Sequence, residues 1–192
     1  MPVLTRLYDH GEDAKRVVHA LEEAGFGHED LSIVANHASG GQTVNAGHTK
    51  HAEVAEDAAA GATAGTIFGG GVGLMAALGS LAIPGIGPVI GAGWLVSAIT
   101  GAGVGAVVGV GAGGLVGALI ESGVPEQDAD TYVEGIRRGG CLVTAKVDDK
   151  RVAEAHRIMS ARGFVDPVQR RAAYAKEGWT RFDPAGSPYT QA

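Results

Sequence analysis

The densest set of metal-capable side chains in this sequence is His48, His51, Glu53, Glu56 and Asp57. Imidazole with carboxylate suits several divalent ions. On a helix beginning before His48, the two imidazoles at i and i+3 would share a face that Glu56 or Asp57 could approach. Gly47 and Thr49 make a poor helix start, and polar residues commonly precede an apolar helix. The expectation is therefore solvated side chains, with no metal and no cofactor. His10, His19, His28 and His37 recur at a spacing that fits neither helix nor strand, and they fall in different elements. His156 falls on a later helix. The lone cysteine, Cys141, permits no internal disulfide. It opens an apolar strand and reads as a small buried hydrophobe. Gly109 to Gly114 formally matches GxGxxG, but no strand precedes it and glycine is dense throughout the region. No Gly-x-Ser-x-Gly elbow or HExxH occurs. No catalytic residue is expected, and the chain is not read as an enzyme.

Charge narrows the partners. A net charge of −6 argues against nucleic acid, which calls for a basic face. Arg137-Arg138 and Arg170-Arg171 read as solvated surface. The N-terminus lacks the basic and apolar regions of a secretory signal.

The most distinctive feature is a charge-free stretch between Asp57 and Glu121 that holds 19 of the 32 glycines. Gly61, Gly65, Gly69 and Gly73 recur every fourth residue. Gly101, Gly105, Gly109, Gly113 and Gly117 do the same, and the ladder extends back through Ser97 to Gly93. On a helix this spacing makes a stripe along which a second backbone can approach closely. These nine ladder glycines are the candidate self-association residues. Leucine at Gly105 or Gly109 should block assembly.

The flanks must position this insert. Residues 3–8, 12–24 and 31–35 read as strand, helix and strand. Residues 142–147, 151–162 and 168–174 repeat that order. Leu-Tyr-Asp…Ala-Gly-Phe and Lys-Val-Asp…Arg-Gly-Phe align as a weak internal repeat. Two such halves make an α+β, ferredoxin-like βαβ-βαβ unit, an antiparallel sheet of four strands with two helices on one face. The insert interrupts it as a glycine-zipper helical hairpin, with helices at about 54–81 and 89–120 broken by the prolines and glycines at 80–88. The divisions are 1–47, the first half and its loop; 48–124, the hairpin; 125–175, a helix at 125–138 and the second half; and 176–192, an aromatic, proline-containing tail. Trp179, Phe182 and Tyr189 in that tail are expected to dock on the domain or on a neighbouring subunit.

Each hairpin helix exceeds the ~20 residues that span a bilayer core. The expectation is an inner-membrane hairpin with the domain facing the cytoplasm, since the loop at 81–93 carries no charge and crosses cheaply. Partners are then further copies of the chain and a lipid bilayer. Alanine and glycine gain little from lipid, so a soluble, closed homo-oligomer with a buried hairpin core is the alternative. A ligand- or metal-sensing module is a third reading, tested by His48 and His51.

The opening Leu-Tyr-Asp-His-Gly-Glu-Asp-Ala…Leu-Glu-Glu-Ala-Gly-Phe…Asp-Leu-Ser-Ile-Val-Ala resembles the heat-induced, general-stress-protein (YflT-like) domain of bacteria. Ile-Pro-Gly-Ile-Gly-Pro-Val-Ile-Gly-Ala-Gly, the segment Gly-Val-Pro-Glu-Gln-Asp-Ala…Tyr-Val-Glu-Gly-Ile-Arg-Arg-Gly-Gly-Cys-Leu-Val-Thr and the Gly-Trp-Thr-Arg-Phe-Asp-Pro tail resemble its glycine-zipper-containing relatives. The resemblance implies a stress-response role and supplies no catalytic residues. The long insert departs from the simplest form of the domain.

Overall fold

The structure is a computed structural model that describes residues 1–36, 74, 78–100 and 114–186. Strand β1 (Val3–Tyr8) leads into helix α1 (Gly11–Glu23), which begins with Glu12 and Asp13 in its first turn. Acidic side chains there complement the helix dipole. Ala14, Val17, Val18 and Leu21 form the buried stripe of α1, at the spacing an amphipathic helix requires. Gly25, at φ 81°, ends the helix, and Phe26 N–H donates to Leu21 O at 3.0 Å. Strand β2 (Leu31–Asn36) follows, with all six residues buried.

Two further strands come from the insert, β3 (Gly79–Ile83) and β4 (Gly87–Gly93). Pro84-Gly85 joins them. Gly85 has φ 77°, and Ile86 N–H donates to Ile83 O at 3.1 Å, as in a turn favouring proline then glycine. Helices α2 (Trp94–Thr100), α3 (Gly114–Glu121) and α4 (Glu126–Arg137) complete this middle region. Strand β5 (Cys141–Lys146), a 3-10 turn (Asp149–Arg151), helix α5 (Val152–Ser160), strand β6 (Phe164–Val165) and helix α6 (Pro167–Lys176) close the chain.

The protein is α+β. Its strands form one antiparallel sheet in the order β3-β4-β2-β5-β1-β6. Central pairing sets Tyr8 opposite Cys141 and Ile33 opposite Val143. The sheet has a core on each face. On one, α1 and α5 cover Tyr8, Leu31, Ile33, Cys141, Val143 and Ala145, with Val18, Leu21 and Met159. On the other, Leu7, Val34 and Leu142 meet Leu95, Leu115, Leu119, Val133 and Ile136 from α2, α3 and α4.

This departs from the expected four strands with helices on one face. Leu31 to Ala35 has no polar alternation beyond Ser32, as expected for a strand covered on both sides. Ser32 is accommodated by donating to Ala92 O at 2.7 Å.

The insert departs further. Residues 79–81 and 89–93, expected in two helices, are strand, and the expected tip at 81–93 lies in the sheet. Gly93 has φ 93°, which a helix cannot use. A Cβ on Gly91 would lie 2.8 Å from Ile33 O. These glycines let β4 approach β2; they are not the upstream end of a helical ladder. Helix resumes only at Trp94. The final strand expected at 168–174 is helix α6. Asp166 Oδ1 caps it by accepting from Val168 N–H at 2.8 Å and Gln169 N–H at 3.0 Å, and Pro167 occupies its first turn, a favoured helix start. The second half's strand is instead the short β6.

Candidate functional site

Of the ladder glycines, Gly117 lies among the described residues. Gly61, Gly65, Gly69, Gly73, Gly101, Gly105, Gly109 and Gly113 lie outside them, as do His37, His48, His51, Glu53, Glu56, Asp57 and Tyr189. Gly117 sits on α3 between Leu115 and Leu119, which both face the core. An added Cβ at Gly117 would meet nothing within 4 Å, and the same holds at Gly114. Ile120 is 41% exposed. The helix turns Leu115 and Leu119 inward and Gly114, Ile120 and Glu121 outward, with Gly117 half-buried between. Among the described residues, no helix is long and apolar enough to cross a membrane.

The described histidines do not converge. His10 precedes α1, His19 lies 3.5 Å from Glu22 on that helix, and His28 lies 3.8 Å from Glu29. His156 Nε2 is 2.8 Å from the Arg6 guanidinium. No group of three potential ligands among the described residues could hold a metal. Cys141 is buried, and burial pushes its thiol up to about 12. A thiol so placed is inert.

One concentration of polar side chains among the described residues was not expected. A cleft of about 410 Å³ opens where β1 ends and β5 begins, between Asp9, Arg138, Gly139-Gly140, Arg170, Tyr174 and Glu177. Gly140 packs against backbone: a Cβ there would lie 2.9 Å from Gly135 O. Gly139 turns the chain out of α4 at φ 103°. Beneath the cleft Glu134 is fully buried. Arg138 Nε reaches its Oε1 at 2.6 Å, and Arg137 Nη1 its Oε2 at 3.3 Å. Arg138 also pairs with Glu177 and stacks 4.1 Å from the Tyr174 ring centre. Arg170 Nη2 lies 2.6 Å from Asp9 Oδ2 and approaches the same ring at 5.8 Å. Trp179 meets that ring edge-on at 5.6 Å.

The charges neutralise one another. Burial alone would lower Arg138, but its hydrogen bonds to Glu177 and Glu134 outweigh that and raise it. Burial likewise opposes the charge on Arg170, and Asp9 restores it. Burial raises Tyr174, keeping its phenol protonated. Three guanidinium groups thus face three carboxylates. An incoming anion would have to displace Asp9 or Glu177 from their arginines. The cluster acts as a clamp fastening α6 to α4 and β1.

Arg137, Arg138 and Arg170 are accordingly not the solvated surface expected of them. Arg171 also pairs, with Asp128 at 3.1 Å. Glu134 with Arg137 and Arg138 at i+3 and i+4 was the available signal, since that spacing pairs charges on one helix face.

The tail docks on the chain's own domain. Phe182 is buried in the second core with Ile83 and Ile86. Its N–H donates to the Asp130 carboxylate. A Cβ on Gly85 would lie 2.8 Å from Asp183 O and 2.9 Å from Pro184 Cα, so the strap crosses the β3–β4 turn closely. No protein-family model, curated protein or solved structure matches the chain.

Proposed function

We propose that this is a non-enzymatic, self-associating stress-response protein. Its glycine-bearing insert packs copies together in or against the inner membrane, with the sheet domain facing the cytoplasm. The stress-response part follows from the resemblance to the YflT-like domain and its glycine-zipper relatives. The self-association part rests on one observation: no described atom crowds Gly117, while Leu115 and Leu119 on the same helix face the core. Uncrowded glycines at 114 and 117 suit close approach by another helix. The paired charges of the cleft favour a fastening role over catalysis.

We further propose that the domain is ferredoxin-like, with β3 and β4 added from the insert. The order β6-β1-β5-β2, with α1 and α5 joining strands of each half, supports this.

The test is Gly117→Leu in the full chain. No described atom crowds the position, so the domain should keep its fold while the assembly shrinks. A Gly117→Leu chain with wild-type assembly size would refute the ladder as an interface. A second reading, a soluble closed oligomer, draws support from residues 79–93, which sit in the domain's sheet and not at the far end of a hairpin. Carbonate-washed membranes separate the two. Retention of the chain supports bilayer insertion, and recovery as a single large soluble species supports the closed oligomer.

A further inference from the structure

The two ends of the sheet are built differently. At one end, β6 is two residues long and is followed at once by Asp166-Pro167. The Arg6 guanidinium lies 5.4 Å from the Phe164 ring there. Short length, charge and proline are devices that stop an edge from pairing with another chain. At the other end, β3 (Gly79-Ser-Leu-Ala-Ile83) is longer and carries no charge, and Pro84 follows it in the turn to β4. Its described neighbour is β4 alone. Gly79, Ser80 and Ala82 are exposed, and Leu81 is half-buried against the cluster that holds Ile83 and Val89.

We propose that β3 is a docking edge for β3 of a second copy, joining two sheets into one continuous antiparallel sheet. This rests on the self-association reading and names a contact for it that is separate from the glycine ladder. The occupant follows from charge and symmetry. The chain carries −6 overall, but no charged residue lies between Asp57 and Glu121. Two copies repel elsewhere and can meet without repulsion here. Antiparallel pairing of a strand with itself about Leu81 obeys a two-fold axis, the commonest symmetry of homodimers. It sets Leu81 opposite Leu81, close enough for direct side-chain contact, and extends the apolar cluster across the junction. Ser80 then faces Ala82 of the second copy, so no charge is buried.

Three full-length proteins test this by sedimentation over a concentration series: wild type, Ala82→Lys and Gly117→Leu. Ala82 is exposed, so lysine there leaves the fold intact, which its melting temperature checks. An edge lysine should weaken the dimer step by about tenfold or more. A fourth protein, Leu81→Cys, should form a disulfide-linked dimer under mild oxidation, because the buried Cys141 thiol cannot compete. Wild-type assembly in Ala82→Lys, or no cross-link in Leu81→Cys, overturns edge pairing; if Gly117→Leu still breaks assembly, the ladder reading survives. A wild-type chain that stays monomeric at every concentration removes both.

Discussion

Phe182→Ala tests whether the tail is a structural part of the domain. The ring is 7% exposed and packs with Ile83 and Ile86. Truncating a fully buried phenylalanine costs about 3–5 kcal/mol, less where the surroundings can collapse. A strap at the margin of the core can partly collapse, so roughly 2–3 kcal/mol is expected. For a chain of this size each kcal/mol lowers the melting temperature by about 2–4 °C. The variant should therefore melt roughly 4–12 °C lower, with faster amide exchange at residues 83–87.

Gly85→Ala sharpens the test. At φ 77° alanine carries a backbone penalty of about 1–2 kcal/mol, and its Cβ would also collide with Asp183 and Pro184. Once Phe182 is removed the strap can lift, and only the backbone penalty should remain. The double variant should accordingly be less destabilised than the sum of the two singles. Strict additivity, or a Phe182→Ala melting temperature equal to wild type, would show that the strap does not hold the turn.

Other outcomes follow from single groups. Burial raises the Asp130 carboxyl, outweighing the lowering by Arg181 and the Phe182 N–H. Such a group contributes stability below its unfolded value and loses it as pH rises through its folded one. Wild type should thus lose ground to Asp130→Asn as pH rises from about 4, and a difference that grows in wild type's favour would contradict this. Cys141, at about 12, leaves roughly one thiolate in 10⁴ at pH 8. It should resist alkylation in the native protein and label fully in denaturant, and rapid native labelling would place it at the surface. Asp166→Ala removes the cap that accepts from Val168 and Gln169 and should cost about 1 kcal/mol in denaturant unfolding; no loss would mean that Pro167 alone starts α6.

What the sequence disclosed was what local physics determines. Val17, Val18 and Leu21 announced α1, Pro125 with Glu126 and Asp128 announced α4, and the apolar runs at 3–8 and 142–147 announced β1 and β5. Residues 89–93, expected as helix, are strand for a reason of the same kind. Glycines four apart mark a helix face only if the backbone is helical, and nothing local to Gly-Pro-Val-Ile-Gly-Ala-Gly says that β2 lies alongside. Tertiary context overrode the period. At Asp166-Pro167 the signal was local and present, but Val168 and Tyr174 drew attention to β propensity. The cleft combined both kinds of information. Glu134 with Arg137 and Arg138 was readable along one helix, whereas Asp9 with Arg170 joins positions far apart in the chain.

The position of β3 and β4 bears directly on how copies could assemble. A single hairpin would carry both glycine ladders away from the domain side by side, with 81–93 at its far end. Instead that stretch is hydrogen-bonded to β2, with Val34 opposite Gly91. The ladder at 61–73 therefore lies between two points anchored in the sheet, Asn36 and Gly79. The ladder at 101–117 lies between β4 and α4, also anchored. An assembly that uses both proposed interfaces couples them, so weakening one should lower occupancy of the other. In the sedimentation series, Ala82→Lys combined with Gly117→Leu should weaken assembly by less than the product of the two single effects if each already dismantles the joint contact. Full multiplicativity would mean that ladder and edge act independently, with the ladders reaching partners elsewhere.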